Sequence, residues 1–476
     1  MTDLEAQVDR LVGPTHHFGG LGVGNLASLA HQGTGSSPQA AAFQGLDKMA
    51  AVARRGVPQF VLPPHTRPDL ATLERLGFGT ARGNGDATGN VGVTASVDAI
   101  TSGDAMGDVL GRAAAESPQL LSAVMSCSGM WMANAATVAA SWDSPAGRMA
   151  VTIANLVSSL HRAGEAAETL ADLRKLLPRQ ALIHAPLPGG YPFRDEGAAN
   201  HMRFSGRRGM GRRGIRGQAS PSGHVPGLHL FVYGDGDPGP RKLPSRQSLE
   251  ASRAVARLHR LPVENVFFLK QHPDAIDAGA FHNDVVAASH GDLMIFHESA
   301  FFDPEPSLSR LTKRFRDCWG DEPRLLRVTA DELPVDEAVA CYLFNSQILS
   351  PPDSARPPII ICPAEAGESR RARPLIDRWV GEGIFSGAVF LSLDQSMSGG
   401  GGPACLRLRV PVTEAELAAF YGPARWSESL DERLRNLIAA DYPDRLSPGD
   451  LADPALAAHA RRINSRLRSL LLSAES

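Results

Sequence analysis

The sequence predicts an α/β protein. Short apolar and β-branched runs recur along its whole length, stretches of helical period lie between them, and the chain turns helical from about residue 414. The strand-like runs are, in order, Phe60 to Leu62, Ala181 to His184, Leu228 to Tyr233, Val266 to Leu269 and Leu293 to Phe296. Pro358 to Ile361, Ala388 to Leu391 and Leu406 to Val410 follow. A stretch starting near Ser248 places Ala251, Val255 and Leu258 at i, i+4 and i+7, one face of a helix. Asn283 to Phe296 reads as a hairpin, with the turn His290-Gly291-Asp292 between two apolar runs. Glu414 to Tyr421, Leu430 to Ala440 and Pro454 to Leu472 read as helices.

Two stretches read as inserted loops. Gly79 to Ser96 is rich in Gly, Ala and Thr, and Arg203 to Arg216 sets six arginines among glycines. The second has the charge to hold a polyanion, but the overall charge favours a solvated loop. No exact internal repeat occurs, so any structural repetition must be divergent.

The chain has 476 residues, enough for two or three ordinary domains or one large repeat-built domain. With 43% hydrophobic and 21% charged residues it supports a substantial core. A formal net charge of −3 argues against a general nucleic-acid binder. The five cysteines form no CxxC pair, so neither a disulfide framework nor a cysteine zinc site is expected. Met1 to Ala6 is acidic and lacks a signal pattern, and no apolar run nears the ~18 residues of a membrane span. The expectation is a soluble cytoplasmic protein.

Cys405 follows the glycine run 399–402 and precedes the alternating run Leu406-Arg407-Leu408-Arg409-Val410. A glycine turn thus presents a thiol where the chain enters a sheet. A lone cysteine is ordinarily a small buried apolar side chain, and its companions decide the reading. Gly20, Gly22 and Gly24 in Thr15 to Ser28 lack the G-x-G-x-x-G spacing and a buried preceding strand, so a loop closing over a polar small molecule fits better. Adjacent His16 and His17 do not make a metal pair; no metal or cofactor is expected. Asp195 and Glu196 precede a small-residue turn, His282 and Asp284 are two apart, and Asn134 is an amide in apolar surroundings.

A thiol nucleophile needs a base or a positive field to become thiolate, and a histidine exchanges protons near neutral pH. Carboxylates such as Glu196 and Asp284 match the paired N–H donors of a planar guanidinium. A bound cation also favours the thiolate. Cys, His and two acids together suggest attack on a guanidinium carbon.

The sequence resembles the N-succinylarginine dihydrolases. The matching motifs are Leu11-Val12-Gly13 with Thr15-His16-His17, Gly24-Asn25 with Ala27-Ser28, Ala133 to Thr137, Asp195 to His201, Phe281 to Val285, Tyr342 to Gln347 and Gly400 to Val410, in family order over almost the whole chain. The resemblance implies one catalytic domain over residues 1–476 with the pentein fold, a five-bladed α/β propeller around a central site. It implies hydrolysis of N2-succinyl-L-arginine to N2-succinyl-L-ornithine, carbon dioxide and two ammonia, with no cofactor and as a homodimer. The rivals are a deiminase, an amidinotransferase, or a pentein that only binds.

Carried over, Cys405 is the nucleophile, His282 the general acid and base, and Glu196 the acid that positions or polarises His and substrate. The implied substrate contacts are Gly19, Gly20, Leu21, Gly22, Val23, Gly24, Asn25, Leu26, Ala27 and Ser28, with Asn134, His161, Arg162, Arg246, Asp284 and Gly399. Arg162 and Arg246 are expected at substrate carboxylates. Gly399 stands where the family usually has Asn, which removes a side-chain amide contact there, and the Arg-rich loop is longer than the family norm.

Overall fold

A computed structural model describes residues 4–79, 103–206, 224–350 and 356–473. The α/β class holds. Among the described residues the strands form five small sheets, each built on one pairing pattern. In the first, Leu4–Arg10 pairs antiparallel with Arg407–Val412 and parallel with Gln59–Leu62. In the second, Ala150–Ile153 lies antiparallel to Ala136–Ala139 and parallel to Leu182–His184. In the third, Leu228–Tyr233 does the same between His201–Phe204 and Val266–Gln271, and Phe301–Phe302 adds an edge. The fourth centres Leu293–His297 between Ala287–His290 and Arg324–Val328, and the fifth centres Ile359–Pro363 between Gln347–Leu349 and Gly387–Leu391. The repetition is structural and divergent, as the missing sequence repeat requires.

Central strands are apolar because both faces are covered: Leu293 to His297 and Ala150 to Ile153 are buried throughout. The strand Arg407–Val412 alternates instead. Leu408, Val410 and Val412 enter the main core, while Arg409 on the other face pairs with Glu5 at 2.7 Å. The helix Leu249–Leu258 starts where Ser248 accepts a hydrogen bond from the Ala251 N–H. Ala251 and Val255 are buried, whereas Leu258, its last residue, is exposed. The three C-terminal helices are Glu414–Ala418, Glu428–Asp441 and Pro454–Leu472.

A short turn precedes each antiparallel outer strand. These turns are 3-10 helices at Met132–Asn134, Gly197–Asn200, Asn283–Val285 and Leu343–Asn345, and the loop ending at Cys405 precedes the strand Arg407–Val412. Successive turns are hydrogen-bonded. Asn134 Nδ2 donates to the Glu196 carbonyl at 2.9 Å, the Asn283 N–H to Asn200 Oδ1 at 2.9 Å, and Asn345 Nδ2 to the Asp284 carbonyl at 3.2 Å. The Ala404 N–H donates to the Asn345 carbonyl at 2.9 Å, and the Ala133 N–H to the Cys405 carbonyl at 3.0 Å. The fifth turn thus leads back to the first.

Two expectations need correction. The hairpin begins only at Ala287, because Asn283–Val285 is a helical turn whose local bonds include the Val286 N–H to the Asn283 carbonyl. Arg203 and Phe204 belong to a strand, and Arg203 grips Asp143 with two donors at 2.6 and 2.7 Å; the rest of that arginine-rich stretch from residue 207 lies outside the described residues. The expected loop at 79–96 also lies outside them beyond Gly79.

Candidate active site

The five turns bring Asn134, Glu196, His282, Asp284, Asn345 and Cys405 to one place from five segments of sequence. Cys405, His282, Asn134, His161, Arg162 and Arg246 line one cavity with Gly399 and Gly400. From the glycine-rich loop, Gly19, Leu21, Gly22, Asn25 and Ser28 line it too. Gly20, Val23, Gly24, Leu26 and Ala27 are not among the lining residues; the side chains of Val23 and Leu26 face solvent, at 51% and 47% exposure. Asn25 caps the short helix that follows, accepting from the Ser28 N–H at 3.0 Å, and its Nδ2 donates to the Gly399 carbonyl at 2.9 Å. It ties this loop to the one before the cysteine.

That second loop is packed tightly. A Cβ on Gly399 would lie 2.7 Å from the Trp131 ring, and one on Gly401 2.2 Å from Trp131 Nε1. The glycines admit a tryptophan at close range; conformational freedom is the lesser reason for them. The space that a side chain at 399 would enter is filled by Trp131, whose indole donates to Ser396 Oγ at 3.2 Å.

Cys405 is buried. Its Sγ donates to Asp284 Oδ2 at 3.4 Å and accepts from Asn345 Nδ2 at 3.1 Å. Burial, followed by the Asp284 charge, lifts the thiol well above its ordinary pKa, so it is a thiol at neutral pH. Burial also raises Asp284, to about 6, against the hydrogen bonds from Cys405 and Asn345.

His282 and Glu196 form a second couple. Glu196 Oε2 lies 2.8 Å from His282 Nε2 and 2.8 Å from Arg162 Nη1. Burial alone would raise the Glu196 pKa, but Arg162 and His282 overcome it and hold the carboxyl well below the usual range. Burial lowers His282 to about 4, with Glu196 opposing. The imidazole is therefore neutral at pH 7, not poised there as the sequence suggests. With Glu196 ionised, Nε2 carries the proton and Nδ1 is the acceptor. Burial also lowers His161, to about 3, and Arg246, to about 10.

Arg162 was expected at a substrate carboxylate; one of its nitrogens is instead committed to Glu196. Arg246 lies over the Phe281 ring, 4.7 Å from its centroid, and donates to the Val23 carbonyl. Four buried polar atoms here have no hydrogen-bond partner: Glu196 Oε1, Asp284 Oδ1, His282 Nδ1 and Arg162 Nη2. Leaving such atoms unpaired costs about 1–3 kcal/mol each, an arrangement suited to a polar ligand that pairs them. Two residues escaped the sequence reading of the site. Asn345 sat unassigned in the motif Tyr342 to Gln347, and Trp131 lay three residues before Asn134 without a polar signal. Among the described residues, no group of three or more His, Cys, Asp or Glu side chains is placed to hold a metal ion. Nor is any helix there long and apolar enough to cross a membrane.

The family model described as Succinylarginine dihydrolase matches residues 2–475. The N-succinylarginine dihydrolase of Chromohalobacter salexigens is 41% identical over 476 residues, covering 98% of this chain and 96% of that protein. That of Nitrosospira multiformis is 41% identical over 482 residues, covering 99% and 98%. Among solved structures, the product-bound N-terminal domain of ArgZ, an arginine dihydrolase from cyanobacteria, aligns at a TM-score of 0.49 with 15% identity over 86% of this chain and 97% of that one. With the family match running from end to end and relatives at this identity over nearly their full length, the chain belongs to the succinylarginine dihydrolase family.

Proposed function

We propose that the chain hydrolyses N2-succinyl-L-arginine to N2-succinyl-L-ornithine, carbon dioxide and two ammonia through a covalent bond to Cys405. One observation carries the reading: two carboxylates, Glu196 and Asp284, each with a buried oxygen that has no hydrogen-bond partner, flank the thiol and the imidazole of a single cavity. A guanidinium offers the donors these oxygens lack. The five like sheets, joined through their turns, are in keeping with blades of a pentein propeller about this centre.

Before substrate binds, the Cys405 thiol donates to Asp284 and His282 is neutral. The bound cation lowers the pKa of both Asp284 and Cys405. Sγ then bonds to the guanidinium carbon, and the thiol proton passes through His282 Nδ1 to a terminal nitrogen, which leaves as ammonia. His282 takes a proton from water; the oxygen bonds to the same carbon, the C–S bond breaks, and the sulfur regains a proton. The ureido product enters a second round: Sγ expels the second ammonia, water releases the carbamic acid, and carbon dioxide departs from the ornithine amine. Glu196 holds the imidazole by Nε2, leaving Nδ1 for these transfers. Arg246 and the free nitrogen of Arg162 serve the substrate's carboxylates, with Asn25, Ser28, Asn134 and His161 completing the lining.

Ammonia counting tests the reading. Two ammonia per succinylornithine are expected; one ammonia with accumulated succinylcitrulline would make the enzyme a deiminase. A pH profile adds a second expectation. Asp284 must be ionised to hold the cation, so kcat/KM rises with pH through about 6 and falls away below it. Asp195, which burial also raises to about 6, is told apart because Asp284→Asn removes the limb.

A further inference from the structure

Four of the five turns supply groups with a part in this reaction: Asn134, Glu196, the His282–Asp284 pair and Cys405. The remaining one supplies Asn345. Its side chain is fully buried and its amide is completely used. Nδ2 donates to Cys405 Sγ at 3.1 Å and to the Asp284 carbonyl at 3.2 Å, while Oδ1 accepts from the Cys405 N–H at 3.1 Å. This pattern fixes the amide orientation. Flipped, Oδ1 would face the Asp284 carbonyl and the NH2 would face an N–H donor. The chain also makes room for the amide: a Cβ on Gly402 would come 2.9 Å from Asn345 Oδ1. Tyr342, at the start of the same turn, holds a left-handed φ of 52° without being glycine. A strained backbone thus delivers an amide that touches the nucleophile on two atoms.

We propose that Asn345 is a catalytic residue: its Nδ2–H stabilises negative charge on Cys405 Sγ during attack, and its Oδ1 fixes the cysteine's backbone. This rests on Cys405 being the nucleophile. A donor aimed at an atom that gains charge in the transition state strengthens as the charge develops. An amide supplies that donor without a positive charge that would repel the guanidinium. Because Asn345 is not among the lining residues of the cavity, its loss falls on kcat and not on substrate binding.

The test compares the wild-type enzyme, Asn345→Ala and Asn345→Asp, the last keeping the shape and losing the donor. Three quantities are read: kcat and KM with succinylarginine, Tm, and the pH dependence of iodoacetamide alkylation at Cys405, followed on its peptide by mass spectrometry. In both variants kcat is expected to fall about 100-fold, with KM changed less than about threefold and the alkylation midpoint moved to higher pH, furthest for Asp. A merely structural role would lower Tm and leave the midpoint where it was. An unmoved midpoint, or loss of folded protein in both variants, would overturn the proposal. Cys405→Ala in the same ammonia assay separates the two failures. If it stays active, the nucleophile assignment falls; if it is inactive while the Asn345 variants keep the wild-type midpoint, only the role of Asn345 falls.

Discussion

Cys405→Ala is expected to lower ammonia release from succinylarginine by at least ~10⁴-fold, since removing a nucleophile forfeits the covalent route entirely. Folding should survive. The side chain fills little volume, and its backbone N–H keeps its bond to Asn345 Oδ1. Substrate binding should survive as well, because Glu196 and Asp284 keep their oxygens. Without the thiol the raised pKa of Asp284 loses one of the hydrogen bonds that hold it down, so cation binding shifts toward higher pH. Steady-state ammonia assays alongside equilibrium binding of succinylarginine separate the two effects. Lost turnover with retained binding is the expected pattern.

Glu196→Gln is expected to cost ~10²–10⁴ in kcat. Glu196 does three things that glutamine does not. It orients His282 through Nε2, leaving Nδ1 as the acceptor; a glutamine amide presenting its NH2 would reverse that tautomer. It raises the His282 pKa against burial, so removing its charge drops the imidazole further below about 4 and weakens the base. It also neutralises Arg162, which is 4% exposed. Breaking a buried pair on one side strands the other charge, at about 3–5 kcal/mol. The variant should therefore show both a lower Tm and a lower kcat. A fall in Tm alone, with kcat intact in the folded enzyme, would remove Glu196 from the catalytic role.

Much of this was legible in the residues. The strands Leu228–Tyr233 and Leu293–His297 announce themselves because both faces are buried almost throughout and, His229 and His297 apart, their residues are apolar or aromatic. Cys405, His282 and Glu196 stand out because thiol, imidazole and carboxylate together specify a chemistry, and the family motifs tie them in order. What stayed hidden was long-range. Arg162 lies 34 positions before Glu196, and no local pattern announces that pair. The turn Asn283–Val285 is too short for any periodicity to register. The value of His282 depends on burial, which a residue type does not reveal. Gly399 reads as a lost contact in sequence, whereas in space it is room for Trp131. Trp131 itself had no signal, because its role depends on a loop more than 260 residues away.

The proposed reaction depends on a bond between the guanidinium carbon and Cys405 Sγ. Succinylarginine labelled with ¹³C at that carbon, mixed with enzyme, acid-quenched during turnover and digested, tests it directly. The labelled carbon is expected on the peptide carrying Cys405, lost when unlabelled substrate is chased in. Label recovered on a different residue, or turnover by a chain whose Cys405 has been fully alkylated, would contradict it.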